Sequence, residues 1–131
     1  MHVLRHVHAA LRPGGVALDV HPLGFDIPVR VGTRGIGFVD ASRFADVVAA
    51  MDDSVDRAIA DGLFEDVRSL WRHVAERFDD AAEALDHADG WVNLRLPAAV
   101  RRRLATAEET PVELVEAIRY RLLRKADGGP G

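Results

Sequence analysis

Leu4-Arg5-His6-Val7-His8-Ala9-Ala10-Leu11-Arg12-Pro13-Gly14-Gly15-Val16-Ala17-Leu18-Asp19-Val20 is the stretch on which the fold of this chain turns. Val3, Val7 and Leu11 recur every four residues with Leu4 beside them, which makes one face of a helix. Pro13-Gly14-Gly15 stops that helix and lets the chain turn into the next element within a few residues. Val16 to Val20 is then a nearly continuous apolar run broken only by Asp19, the pattern of a strand covered on both faces in a parallel sheet. His21-Pro22 ends it.

Downstream, Val29 and Val31 alternate with polar residues, Ile36 and Phe38 do the same, and Gly32-Thr33-Arg34-Gly35 between them reads as the turn of a small hairpin. Asp40 or Ser42 can cap the next element, where Phe44, Val48, Met51, Val55 and Ile59 mark a helical stripe running to Gly62. From Leu63 to Phe78 the apolar residues fit helical spacing better than strict alternation. Asp80 with Glu83 three residues on forms a capping box for a short helix through Leu85 and Ala88 to Gly90. Pro97 suits the first turn of another helix, running to about Glu108. Thr110-Pro111-Val112-Glu113 reads as a helix start. Against it, Val112, Leu114, Ile118, Tyr120 and Leu122 read as strand positions sharing one face. Residues 126–131 are small, and a disordered tail is expected.

The chain has 131 residues, 48% apolar and 29% charged, which fits one folded domain with one moderate core. A net charge of −4 argues against a nucleic-acid partner, because such partners call for a basic excess on one face. The dense basic runs are Arg101-Arg102-Arg103 and Arg119 to Lys125. The absence of cysteine excludes disulfides, thiolate metal sites and a cysteine nucleophile. No apolar run approaches the roughly 20 residues of a spanning helix, and the first dozen residues lack a signal-peptide core. The expectation is a chain that is neither membrane-bound nor secreted, with the cytoplasm as its default location.

The segment Leu4 to Val20 resembles the late part of class I S-adenosylmethionine-dependent methyltransferases, in which a helix leads through L-R-P-G-G into the fifth strand of the sheet. Ile118-Arg119-Tyr120-Arg121-Leu122-Leu123-Arg124-Lys125 is similar to the last strand of many such enzymes, which closes the sheet antiparallel. The resemblance implies a strand over 112–124 and makes part of 67–78 the penultimate strand, against its periodicity. It implies an α/β fold: residues 1–125 as one domain fragment holding the second half of a methyltransferase-like sheet, with flanking helices and a small inserted hairpin.

Family members bind the cofactor through a glycine-rich loop after the first strand and an acidic residue ending the second, and neither has a counterpart upstream of Leu4. The resemblance therefore implies a chain with no cofactor of its own, inactive alone, that meets S-adenosylmethionine only if a missing N-terminal half is supplied. A truncated product, a misassigned start and a relic that has lost catalysis all fit this expectation. The alternative is a non-catalytic α+β association module, homodimeric and of unknown role. In either case the expected partner is a second copy or the missing half, since an unpaired apolar strand edge tends to recruit another chain.

Asp19 and His21 are the candidate catalytic residues, because they lie at the C-terminal end of a strand, where open α/β sheets place their ligands. A histidine there can act as a general base. The bland alternative, weighed more heavily, has Asp19 capping nearby backbone and His21 sitting in a turn. Gly32-Thr33-Arg34-Gly35-Ile36-Gly37 looks like a phosphate loop, but strand alternation rather than a helix follows it. His2 and His6 stand at a metal-ligand spacing with His8 near, yet Asp19 is the only carboxylate close in sequence, so no metal is expected. Trp71, Trp91, Phe44, Phe64 and Phe78 read as core packing, and the arginine runs as solvated faces.

Overall fold

A computed structural model describes residues 2–24 and 26–126. In chain order the elements are α1 (His2–Ala10), β1 (Val16–Pro22), β2 (Pro28–Val31), β3 (Arg34–Phe38), α2 (Ser42–Ala60), β4 (Phe64–Phe78), α3 (Ala81–Asp89), α4 (Ala98–Ala105) and β5 (Val112–Lys125). The helix, hairpin and long-helix assignments of the sequence hold. Of the expected tail, 126–131, Ala126 donates its N–H to Leu63 O at 3.1 Å, and 127–131 lie outside the described residues.

The five strands form one open sheet ordered β1-β5-β2-β3, with β4 also paired to β5. The β2–β3 hairpin is antiparallel with a register shift between Val29 and Arg30. β2 also pairs antiparallel with β5, Val29 opposite Leu114 and Val31 opposite Val112. The register of β1 on β5 follows from the bonds at its two ends. Leu23 N–H donates to Ala117 O and Lys125 N–H donates to Gly15 O, each at 2.8 Å. Equal spans between those ends leave no net bulge, so Asp19 lies opposite Arg121 and His21 opposite Arg119 in an antiparallel ladder.

The contacts divide the chain into two compact units, and β4 and β5 each have residues in both. Unit one comprises Met1–His21, Val47–Arg72 and Ile118–Gly131. Its apolar cluster is Val55, Ala58, Phe64 and Leu123, joined by Leu4, Val7 and Leu11 from α1. Unit two comprises Pro22–Asp46 and His73–Ala117. Val29, Val31, Ile36, Val100, Leu104, Val112 and Leu114 lead its cluster, with Phe44 and Trp91 packed against it. These two clusters take the place of the single core that the length suggests.

Three expectations are corrected. β1 is not a parallel strand buried on both faces: it runs antiparallel to β5, and Val16, Leu18 and Val20 are 51%, 60% and 47% exposed. Residues 64–78 form a strand throughout, as the resemblance implies for part of 67–78 and against the helical spacing of the apolar residues. A helix there would need a buried stripe, yet Val67, Trp71 and Val74 are 40%, 57% and 45% exposed, and only Phe64 and Phe78 at the ends are buried. Pairing with β5 supplies the backbone bonds instead. In β5 the strand assignment holds and the helix-start signal is overridden by the ladder to β2. However, Leu114, Ile118, Tyr120 and Leu122 do not share one buried face. The buried positions are Val112, Glu113 and Leu114 in unit two, then Arg121 and Leu123 in unit one, so the buried apolar side chains pass from even to odd positions along the strand.

Local chemistry accounts for the helix ends. Asp80 caps α3, its Oδ1 accepting from Glu83 N–H, and Glu83 Oε2 accepts in return from the N–H of Asp79, one residue before the cap, both at 2.9 Å. Gly62, at φ 78°, ends α2 in the left-handed region. α4 stops at Ala105, three residues before the expected end, where the Thr106 hydroxyl donates back to the carbonyls of Arg102 and Arg103.

Candidate functional site

The alternation of β1 points its odd residues to one face and its even residues to the other. Asp19 and His21 therefore share a face, and within unit one Asp19 meets His21, which in turn meets Asp52 of α2. His21 is 2% exposed. Its Nδ1 lies 3.3 Å from Asp19 Oδ1 and 3.2 Å from Oδ2. Its Nε2 lies 3.0 Å from Asp52 Oδ1. Arg119, opposite His21 in the ladder, donates Nη2 to the same Asp52 oxygen. Asp19, Asp52 and Arg119 are 21%, 26% and 23% exposed, so water reaches the rim of this cluster but not the imidazole.

The chemistry of this arrangement follows from the donor inventory. A neutral imidazole donates from one nitrogen and accepts at the other, whereas an ionised carboxylate can only accept. His21 donates to both carboxylates at once only when each ring nitrogen carries a hydrogen. With Arg119 it then balances the two carboxylates, as a buried ionic group requires. A general base needs a nitrogen directed at the proton it removes. Here both nitrogens are committed to carboxylates, and a base role for His21 requires one of those contacts to break. Two atoms of the cluster are buried without a hydrogen-bond partner: Asp19 Oδ2, near Nδ1 but outside bonding geometry, and Arg119 Nε.

Sequence reading reached Asp19 and His21 but not Asp52 or Arg119. A signal for Asp52 was present. It stands four residues after Val48 and three before Val55, both 4% exposed, so a carboxylate interrupts the buried stripe of α2.

A second ionic group lies beside the first. Arg121, 8% exposed, donates to Asp56 Oδ1 and Asp66 Oδ2, each at 3.1 Å. Burial disfavours its charge, but its hydrogen bonds to the Asp66 and Asp56 carboxylates outweigh that and hold the guanidinium above its usual range. Lys125 Nζ donates to Leu11 O at 2.9 Å, and Arg124 stands 3.7 Å from Glu65. The C-terminal basic run is thus engaged within unit one rather than presented as a solvated face. Of the other run, Arg101 pairs with Asp89 and Arg103 donates to Ile36 O, each at 2.9 Å.

The remaining candidates resolve as follows. Gly32 to Gly37 form the β2–β3 turn and β3 itself, with no helix N-terminus directly after. Among the described residues no group of three or more His, Cys, Asp or Glu could hold a metal. His8 packs edge-on to Phe64 at 5.6 Å. Of the five aromatics, Phe64 and Phe78 are buried, Phe44 and Trp91 pack against the second core, and Trp71 is exposed. Unit two also contains a hollow of about 370 Å³ lined by Asp40, Ser42, Arg43, Trp91 and Arg95 among others. Its carboxylate is already engaged: Asp40 accepts from Ser42 N–H, Ser42 Oγ and Arg95, at 3.1, 2.8 and 2.9 Å, and these bonds lower its pKa.

No protein-family model, no curated protein and no solved structure matches this chain.

Proposed function

We propose that this chain is the C-terminal part of an S-adenosylmethionine-dependent methyltransferase-like protein, a structural portion that does not bind the cofactor by itself. The observation that carries the reading is the path from α1 through Arg12-Pro13-Gly14-Gly15 into β1, with β5 then pairing antiparallel to β1 and pairing also to β4. That is the arrangement the resemblance asks of a fifth, a penultimate and a closing antiparallel strand. The residues present do not fit the cofactor. The glycine-rich stretch Gly32 to Gly37 is spent on a hairpin, and Asp19 and Asp52 are committed to His21 and Arg119. No catalytic step is therefore assigned to this chain. Its contribution would be to supply strands and an ionic anchor for α2.

Two measurements test this. Calorimetric titration of the chain with S-adenosylmethionine is expected to give no binding heat, and a saturable one-to-one signal at micromolar concentration overturns the claim. Sequencing the locus is expected to show, upstream and in frame or in an adjacent gene, a strand followed by a glycine-rich loop and a helix. A locus without one overturns the methyltransferase reading.

The second reading is a non-catalytic α+β association module. It is favoured by the engagement of both His21 nitrogens, which leaves the strand-end candidate without a base, and a locus lacking the loop would select it.

A further inference from the structure

We infer that the outer edge of β1 is a self-pairing edge, through which two copies of this chain join their sheets antiparallel about a two-fold axis at Leu18. The inference rests on the association reading and deepens it by naming the occupant and the register.

β1 is the end strand of the sheet order, so among the described residues its second edge has no strand partner. Which residues face that edge follows from the ladder. Gly15 and Leu23 bond to β5 through their backbone, so the odd positions of β1 turn their N–H and C=O groups toward β5. The even positions, Val16, Leu18 and Val20, turn theirs to the open edge. These same three residues carry the exposed apolar side chains, at 51%, 60% and 47%. Unmet backbone groups and exposed apolar side chains thus coincide in one strand.

The pattern is self-complementary in one register. Centred on Leu18, an antiparallel copy places Val16 against the partner's Val20, Leu18 against the partner's Leu18, and Val20 against the partner's Val16. Each is a hydrogen-bonded pair, and all six side chains share one face. Ala17 falls opposite the partner's Asp19, so no like charges meet. Centring on Asp19 instead would set two carboxylates face to face in a non-hydrogen-bonded pair, where side chains stand closest.

The edge also lacks the devices that keep strands apart. From Val16 to Val20 it has no lysine, arginine or proline, and its one charge, Asp19, is engaged with His21 on the opposite face from Val16, Leu18 and Val20. The other long edge strand, β4, carries Glu65, Asp66, Arg68, Arg72, Glu76 and Arg77, which blunt it. β1 is therefore the edge open to a second copy, and the interface is isologous.

Sedimentation equilibrium over a concentration series is expected to show the 14.3 kDa chain passing to twice that mass. Leu18→Lys, at an exposed position, is expected to stay monomeric with an unchanged circular dichroism spectrum. The natural chain has no cysteine, so single cysteines report the register without background. Opposed residues at the axis stand about 5.5 Å apart at Cα, within disulfide reach. Leu18→Cys is expected to oxidise to a covalent dimer. Val16→Cys, roughly 14 Å from its own copy, is expected not to. A monomer at every concentration overturns both the inference and the association reading. A dimer that survives Leu18→Lys, or that links through Val16→Cys and not Leu18→Cys, overturns the inference alone.

Discussion

His21 Nε2 lies 3.0 Å from Asp52 Oδ1, joining β1 to α2 across 31 residues of sequence. The same oxygen accepts from Arg119, so one carboxylate joins α2 to two strands of unit one. Asp52→Ala would leave the Nε2–H of a 2% exposed imidazole and a guanidinium hydrogen without an acceptor. Hydrogen bonds to charged groups contribute about 1.5–3 kcal/mol each, and breaking a fully buried pair costs about 3–5 kcal/mol. Because Asp52 is 26% exposed, the expected loss is nearer about 2–3 kcal/mol, read from the urea midpoint. A loss under about 0.5 kcal/mol would place the cluster among ordinary surface contacts.

The elements legible in the sequence were those whose signal is local. α2 carries a buried stripe, the Asp80–Glu83 box caps α3, and Gly32 turns the hairpin, each readable within one or two turns of chain. The segment from Phe64 to Phe78 was not legible from its own periodicity. Its apolar residues fall at helical spacing by accident of an edge strand whose side chains are mostly exposed, and nothing local reports that β5, some fifty residues away, supplies its bonds. The site was half legible for the same reason. Asp19 and His21 announce themselves as polar residues in an apolar run, whereas Asp52 and Arg119 acquire meaning only when α2 and β5 are laid against β1.

Arg121 tests the opposite case to Asp52. Its partners Asp56 and Asp66 are 64% and 40% exposed, so both keep water when the guanidinium is removed. An unbranched apolar side chain of similar length can fill the 8% exposed site. Arg121→Met is expected to change stability by less than about 1.5 kcal/mol, the range of volume-conserving swaps. Arg121→Glu places a third carboxylate beside two others and is expected to prevent folding. Circular dichroism and thermal melts separate the two outcomes, and a well-folded Arg121→Glu would show that the pairs are ornamental.

Gly37 sits at φ 143°, and a Cβ there would lie 2.6 Å from Val100 Cγ2. The backbone conformation and the contact both oppose a side chain, and together they set an expected loss of about 2–4 kcal/mol for Gly37→Ala. Pairing it with Val100→Ala relieves the contact but not the backbone strain, so the double variant is expected to lose less than the sum of the singles. Gly35→Ala, with nothing within 4 Å of its added carbon, is the control and is expected to be near neutral. Additive losses in the cycle would assign the whole effect to backbone conformation.

Glu116 gives unit two a stability that depends on pH. Burial, assisted by the charge of Glu76, raises its carboxyl above the ordinary value of 4.5. The folded chain therefore holds that proton more tightly than the unfolded chain does. The resulting stability is complete below pH 4.5, where both states are protonated, and is lost as pH rises through the folded value. Glu116→Gln fixes the side chain in a neutral form. It is expected to match the parent in acid and to be more stable at pH 8, the gap opening progressively between. Glu76→Gln removes only the lesser cause and is expected to open a smaller gap in the same direction. Thermal melts of the three proteins at pH 4 and pH 8 decide it. If Glu116→Gln is no more stable than the parent at pH 8, the ionised carboxylate is adequately solvated in the folded chain, and the burial of β5 at this position does not govern its titration.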